Sequence, residues 1–172
     1  MLAMFKSMFA LLIGLGLAGP VSAQIRVGQT AGMSGPVAGS VKEATDGARL
    51  YFNAVNSRGG IGGQKIELLS LDDKFEVAQA AANARTLISQ GVIALFLTRG
   101  TPHNQAIMPL LTESRVPLVG PSTGAMVLHE PVHHWLFNVR ATYQREAERA
   151  IRHLLQIGVQ RIALVQIGRA HV

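Results

Sequence analysis

The stretch VIALFLTRGTPHNQAIMPLLTESRVPLVGPSTG, residues 92–124, contains the pattern from which we infer the fold. An unbroken apolar run at 92–97 is followed by a helical segment at 103–114 and a second apolar run at 116–119. Strand, helix and strand in this order are typical of a βαβ unit with parallel strands. The run at 92–97 further indicates a strand that is buried on both faces.

The same alternation continues on both sides of this stretch. We expect further strands at 25–29, 65–71, 136–139 and 161–166, and further helices at 41–56, 73–90 and 142–156. Asp73 is the expected N-cap of the second helix, and Gly91 ends it, because glycine adopts the left-handed C-cap conformation at little cost. The sequence therefore predicts an α/β fold with a parallel sheet.

Three of the predicted strands end in loops that are rich in glycine and hydroxyl side chains, at 32–36, 98–102 and 120–124. In open parallel sheets, ligands bind where the carboxyl ends of strands meet the amino ends of helices. Thr101 and Pro102 have the order of an N-cap followed by proline, and such a helix start offers free N–H groups to a carboxylate. Hydroxyls in one loop alone more often cap their own helix, but three such loops on one edge favour ligand binding.

The first 23 residues have the pattern of a secretory signal peptide, with Lys6, an apolar run, a Gly19-Pro20 break and small residues up to Ala23. The apolar run is shorter than the roughly 20 residues that span a bilayer. We therefore expect a cleaved leader and a periplasmic protein. The sequence has no cysteine, so it lacks both disulfides and the lipid-modified cysteine that tethers many exported proteins.

The last six residues, 167–172, read as the translation of a short sequencing adapter. They directly follow a strand-like run, and the chain stops there without a natural ending. We therefore expect residues 24–166 to be the genuine mature part of a truncated product.

Other patterns point away from catalysis, metal binding and nucleic-acid binding. The formal charge of +6 is not clustered and aromatic residues make up 5% of the chain, so no basic patch or stacking platform is indicated. The glycines at 58–63 precede a strand, which is the wrong order for a dinucleotide site. His133 and His134 lack a further ligand at metal spacing. We predict no catalytic residue, no metal and no cofactor.

The sequence resembles the leucine/isoleucine/valine-binding protein family, the type I periplasmic solute-binding proteins of ABC transporters. The similar segments are MSGPVA at 33–38, DGA at 46–48, NAVNSRGGIGGQKI at 53–66, LDD at 71–73, VPLVGP at 116–121 and RIALV at 161–165. The resemblance implies two lobes that are joined by three crossovers and close on the ligand like a hinge. Each lobe is a flavodoxin-like parallel sheet with helices on both faces. Residues 24–140 would form the first, incomplete lobe, and 141–166 the start of the second.

The resemblance also implies a set of ligand-binding residues. Family members hold the carboxylate of the ligand with hydroxyls and backbone N–H groups of the first lobe. The corresponding residues are Thr101, Ser122 and Thr123, with Ser34 and Gly100 in the loops at the same edge.

Ser40 departs from the pattern of the family. It stands where binders of branched-chain amino acids tend to carry an aromatic residue that packs on the ligand side chain. This departure argues against a branched-chain ligand.

These expectations describe the periplasmic substrate-binding component of an ABC importer. It would deliver a small carboxylate-bearing solute, such as an amino acid, to a membrane permease, and it would be monomeric when complete. A ligand-sensing receptor domain of the same fold is the alternative. A flavodoxin-like enzyme is a third possibility, but it needs a nucleophile or a cofactor loop, and neither is recognisable in the sequence.

Overall fold

The computed structural model describes residues 24–163. The elements in chain order are β1 (Ile25–Ala31), α1 (Ala38–Ser57), β2 (Ile66–Asp72), α2 (Val77–Ser89), β3 (Ala94–Phe96), α3 (Thr101–Ser114), β4 (Leu118–Val119), a 3₁₀ helix (Met126–Leu128), β5 (Leu136–Phe137) and α4 (Tyr143–Gln156). Every strand and helix that the sequence predicts before residue 157 is present, with ends that differ by a few residues.

Three predictions concern the two ends of the chain. The signal peptide at 1–23 and the terminal segment at 167–172 lie outside the described residues. Half of the predicted strand at 161–166 also lies outside them, and residues 161–163 form no strand. None of the helices between residues 24 and 163 is long and apolar enough to cross a membrane.

The five strands form one parallel sheet in the order β2-β1-β3-β4-β5. The chain moves outward from β1 to β2 and then returns past β1 to β3. Because crossovers between parallel strands are right-handed, the helices of these two opposite moves lie on opposite faces of the sheet. α1 accordingly packs on one face, while α2 and α3 pack together on the other. The prediction of a flavodoxin-like α/β sheet with helices on both faces is confirmed.

The hydrophobic core lies between the sheet and the helix pair α2 and α3. Leu95 and Leu118 project into it from adjacent strands, and Leu87 and Ile107 project into it from the two helices. Gly28 lets α2 approach β1 closely, since a Cβ on this residue would lie 3.1 Å from side-chain atoms of both Leu87 and Leu95. Burial of this set provides the main hydrophobic stabilisation of the sheet.

The face that carries α1 is only partly covered by the described residues. Phe96 packs against Phe52 of α1, with ring centroids 5.8 Å apart. Beyond this contact, Phe137 is 53% exposed and Val139 is 81% exposed. The prediction that the third strand is buried on both faces is therefore wrong: Leu95 is buried on the core side, but its neighbours in β3 are half-buried. The reason is that α1 alone packs on this side.

Asp73 does not cap α2, contrary to the prediction. The N-cap is Glu76, and no side chain makes a capping hydrogen bond there. Lys74 and Phe75 have φ values of 54° and 62°, so the chain reverses direction before the helix begins. The carboxylate of Asp73 instead accepts hydrogen bonds from the N–H of Phe75 at 2.9 Å and from the hydroxyl of Thr30 at 3.0 Å.

Asp72, at the end of β2, holds the loop between β1 and α1. Its carboxylate accepts hydrogen bonds from the N–H of Met33 at 2.8 Å and from the N–H and hydroxyl of Ser34 at 3.2 and 2.6 Å. The N–H of Lys74 donates a further bond at 2.9 Å. The hydroxyl of Ser34, together with these backbone donors, lowers the pKa of Asp72 to about 2. The loop is thus fixed by a carboxylate that stays ionised at low pH.

We expect Asp72→Asn to lower the melting temperature by a few degrees at pH 7, because charge-assisted bonds become neutral ones. A lowered pKa means that the carboxylate stabilises the fold fully above about pH 4 and loses this effect as the pH falls toward 2. The difference between variant and wild type should therefore be constant from pH 7 to 4 and shrink below that. Thermal melts across this range measure it.

Asp46→Asn is the matched control, because Asp46 forms only an exposed ion pair with Lys42, and such pairs contribute little. If Asp72→Asn had the same small effect as Asp46→Asn at every pH, Asp72 would not anchor the loop.

The partly covered face leads to a second prediction. Residues 24–163 expressed alone should bind a hydrophobic dye and associate in sedimentation experiments, because large exposed apolar patches favour association. Phe137→Thr should reduce both signals and leave the helical content unchanged. The neighbouring Leu136→Ala should instead destabilise the fold, since Leu136 is buried in the core. A monodisperse monomer with a sharp cooperative melt would contradict this prediction.

Candidate functional site

The carboxyl ends of β1, β3 and β4 meet at one edge of the sheet, and the strand order reverses between β1 and β3. In open α/β sheets the loops diverge at such a point and leave a crevice, which is the usual ligand site. A narrow cleft lies here, with about 180 Å³ of space including its open mouth. We call it the switch-point cleft; its lining residues are Gln29, Ser40, Val41, Ala44, Leu97, Arg99 and Ser122.

Gln29 forms the buried floor of the switch-point cleft. Its amide nitrogen donates to the hydroxyl of Thr45 in α1 at 3.0 Å and to the carbonyl of Leu97 at 3.5 Å. Its amide oxygen accepts a hydrogen bond from the hydroxyl of Ser70 in β2 at 2.9 Å. Because these bonds join α1, β2 and the end of β3 to β1, Gln29 fixes the width of the cleft.

Three hydroxyl groups lie together beside the cleft, and we call them the hydroxyl cluster. Thr101 Oγ1 is 2.9 Å from Thr123 Oγ1, which is 3.0 Å from the phenolic oxygen of Tyr143. The three residues belong to the first turn of α3, the loop after β4 and the first turn of α4. Hydroxyls can both donate and accept, so Thr101 and Tyr143 can turn their protons toward an oxygen of a ligand. Thr123 is 1% exposed, so a ligand reaches its hydroxyl only when one of its two partners moves.

The structure brings four of the six predicted site residues to this edge in two adjacent groups. Thr101 and Thr123 belong to the hydroxyl cluster, while Ser40 and Ser122 line the switch-point cleft. Ser34 lies apart from them, at the β2 side, where its hydroxyl is bonded to Asp72.

Gly100, the sixth predicted residue, has a packing role. Its φ is 93°, and a Cβ on it would collide with the ring of His103. The buried His103 ring stacks on Phe75 with centroids 4.5 Å apart. Neither ring nitrogen of His103 has a hydrogen-bond partner among residues 24–163. Asp73 lies on the same side, and burial raises the pKa of its carboxyl.

Thr101 is not the N-cap of α3, contrary to the prediction. The helix includes Thr101, the N-cap is Gly100, and no side-chain cap bond is present. The hydroxyl of Thr101 is turned toward Thr123 instead. This geometry frees the hydroxyl from a structural role in its own helix.

The backbone N–H groups of the loop after β4 are used within the fold. The N–H of Ser122 donates to the carbonyl of Thr98 at 2.7 Å, and that of Thr123 donates to Pro121 at 2.9 Å. The hydroxyls at this edge are therefore better placed than these N–H groups to meet a ligand.

Sequence reasoning missed Tyr143 and Gln29. Thr142 caps α4 by accepting the N–H of Arg145 at 3.2 Å, and the N–H of Tyr143 donates to the carbonyl of Gly124 at 2.8 Å. This backbone bond brings the phenol to Thr123, a contact that no local pattern indicates. For Gln29, the available signal was a long polar side chain within a predicted strand, because buried polar side chains need partners.

A larger open groove of about 700 Å³ runs along the outer side of α1. Its charged groups are already occupied, since Lys42 pairs with Asp46 and Arg49 donates to Ser70 at 3.4 Å. It also lies away from the strand reversal, so the smaller switch-point cleft is the better candidate. Between residues 24 and 163, no three metal-binding side chains lie close enough to hold an ion.

Comparison with known proteins identifies the family. The model of the periplasmic binding protein family matches residues 24–170. The leucine-specific-binding protein of Salmonella typhimurium is 23% identical over 162 residues, which cover 93% of this chain and 44% of that protein. A Leu/Ile/Val-binding protein of Rhizobium johnstonii is 30% identical over 148 residues, or 84% of this chain and 39% of its relative.

Solved structures agree with this result. A substrate-binding periplasmic protein from Ralstonia solanacearum is 36% identical with a TM-score of 0.71, and the match covers 78% of this chain and 38% of the other. A possible leucine/isoleucine/valine-binding protein from Rhodopirellula baltica is 28% identical with a TM-score of 0.73, covering 82% and 38%. The chain thus spans less than half the length of the relatives it matches. These relatives are solute-binding proteins and not enzymes, and this chain belongs to the periplasmic binding protein family.

Proposed function

We propose that the chain is the ligand-capturing part of the periplasmic substrate-binding component of an ABC importer. The ligand is a small solute with a carboxylate group, such as an amino acid. The ligand binds at the carboxyl edge of the sheet, and a second lobe closes over it. No covalent bond is made or broken.

The hydroxyl cluster is the observation that carries this proposal. Two hydrogen bonds link the neutral hydroxyls of Thr101, Thr123 and Tyr143 in a row beside the strand reversal. Hydroxyl donors bind a carboxylate with charge-assisted hydrogen bonds, which are about twice as strong as neutral ones. Without a ligand the three groups satisfy one another, so the cluster is stable in both states.

The amino end of α3 supports the same reading. The first N–H groups of a helix have no acceptor within the helix and attract anions. Thr101 lies in this first turn, and Pro102 next to it contributes no N–H. The helix end and the Thr101 hydroxyl therefore favour a negative charge at the same place.

Helix α4 supports the presence of a second lobe. It has an apolar stripe that includes Ile151 and Leu155, yet no residue of α4 is buried by the described chain. An amphipathic helix of this kind is stable when its apolar face packs against further structure. We propose that residues from 141 onward begin the second lobe, and that Tyr143 extends from that lobe to the first.

We favour transport over sensing. The relatives from Salmonella typhimurium and Rhizobium johnstonii are named for binding leucine and for binding leucine, isoleucine or valine, and this supports an amino-acid-like ligand. Permease and ATPase genes beside the gene would agree with a role in import, whereas a signalling domain in the same open reading frame would favour a receptor. The family also supports export to the periplasm through the leader at 1–23.

Thr101→Val tests the proposed carboxylate site, because valine keeps the shape of threonine and removes the hydroxyl. A charge-assisted hydrogen bond contributes about 1.5–3 kcal/mol, so we expect the affinity to fall roughly 10- to 100-fold. Calorimetric titration of the protein expressed from the complete open reading frame, with a panel of α-amino acids and short carboxylic acids, measures it.

Thr112→Val is the matched control, since Thr112 lies on the same helix and its exposed hydroxyl contacts only the ring of His133. It should leave the affinity unchanged. Equal affinities of wild type and Thr101→Val would remove the hydroxyl cluster from the ligand site.

A further inference from the structure

Arg99 lies half-buried in the wall of the switch-point cleft. The ion pairs of the described chain join Arg26, Lys42, Arg140 and Arg152 to carboxylates. Arg99 takes part in none of them, and its guanidinium has no hydrogen bond to any group between residues 24 and 163. A partly desolvated guanidinium without a counter-charge is unfavourable. An anion bound in the cleft would therefore lower the free energy of this group.

The other polar side chains of the cleft differ in whether they still have a free hydrogen-bond donor. Gln29 is fully engaged by Thr45, Ser70 and the end of β3. Ser40 donates its proton to the carbonyl of Val37 at 3.0 Å. The hydroxyl of Ser122 makes no hydrogen bond among the described residues. Arg99 and Ser122 are therefore the donors that remain for a ligand.

The size of the cleft limits what can enter it. Because its space of about 180 Å³ includes the open mouth, only a slender group enters it. The small side chains Ser40 and Ala44 leave this space open, and Val41 and Leu97 form its apolar walls. A short aliphatic chain that ends in an acidic group matches both the walls and the donors.

The cleft and the hydroxyl cluster share two loops, those that follow β3 and β4. Ser122 of the cleft directly precedes Thr123 of the cluster, and Arg99 is two positions before Thr101. The chain extends at most about 3.6 Å per residue, so within each loop the Cα atoms of the two sites are no more than about 7 Å apart.

We infer that Arg99 and Ser122 form a subsite for a second acidic group, and that the ligand is a short dicarboxylic acid, with or without an α-amino group. One carboxylate lies on the hydroxyl cluster, and the other lies between Arg99 and Ser122. This inference rests on the proposed function, because it takes the first carboxylate site as given.

Paired ligands that differ only in the second acidic group test the inference. Glutamate and glutamine are one pair, and glutarate and its monoamide are the other. With the protein expressed from the complete open reading frame, the acid of at least one pair should bind about 10- to 100-fold more tightly than its amide. The preference should weaken as the salt concentration rises, because salt screens the charge pair.

Arg99→Gln should abolish this preference, because it lowers the affinity for the acid ligand and leaves the affinity for the amide ligand unchanged. Arg58→Gln is the matched control, because Arg58 is exposed at the other end of α1, at the opposite edge of the sheet. It should change neither affinity. Circular dichroism checks that each variant is folded.

Two outcomes distinguish a failure of this inference from a failure of the proposed function. If acid and amide bind equally, or if Arg99→Gln retains the preference while Thr101→Val still weakens binding, the dicarboxylate subsite is wrong and the carboxylate site stands. If none of the four ligands nor any other carboxylate binds, both the subsite and the proposed function are wrong.

Discussion

The reversal of strand order between β1 and β3 is the constraint on which the rest of the structure depends. Right-handed crossovers place α1 on one face and α2 with α3 on the other. The loops that follow β1 and β3 therefore part from each other, and no backbone crosses the gap between them. This gap is the only reason that Gln29, in a strand, and Arg99, in a loop, border the same cleft.

The polar residues at this edge are distinguished by whether their hydrogen-bonding capacity is already used. Asp72 and Ser34 bind each other and hold a loop, and Gln29 holds the floor of the cleft. The hydroxyls of Thr101 and Thr123 bind one another, which is a bond that a carboxylate can replace. Arg99 is bonded to no other group in the described chain. Asp72, Ser34 and Gln29 therefore maintain the shape of this edge. Thr101, Thr123 and Arg99 are the groups that we propose for ligand binding.

Much of the fold follows from the sequence because its signals are local. Alternating apolar runs and helical segments predict each described strand and α-helix, though not the 3₁₀ helix at Met126–Leu128, and glycines such as Gly91 mark where helices end. Two expected caps were wrong for the same reason. Both Asp73 and Thr101 are good capping residues, but tertiary partners, Thr30 and Thr123, compete for their side chains. Capping preference describes an isolated helix and does not include such partners.

The site was less predictable than the fold because it is made of long-range contacts. The order of strands and loops brings Thr101, Ser122 and Thr123 to one edge, as the sequence predicts, and their role in binding stays a prediction. The contact of Tyr143 with Thr123 depends on how α4 begins, and the engagement of Ser34 by Asp72 depends on strand β2. Neither distance can be read from one sequence.

A crystal structure of the complete gene product with a bound carboxylate ligand tests the central claim most directly. We expect the carboxylate oxygens to lie about 2.6–3.0 Å from the hydroxyl oxygens of Thr101 and Thr123, beside the amino end of α3. A carboxylate bound elsewhere, with the hydroxyl cluster still paired only to itself, would show that the cluster does not bind the ligand.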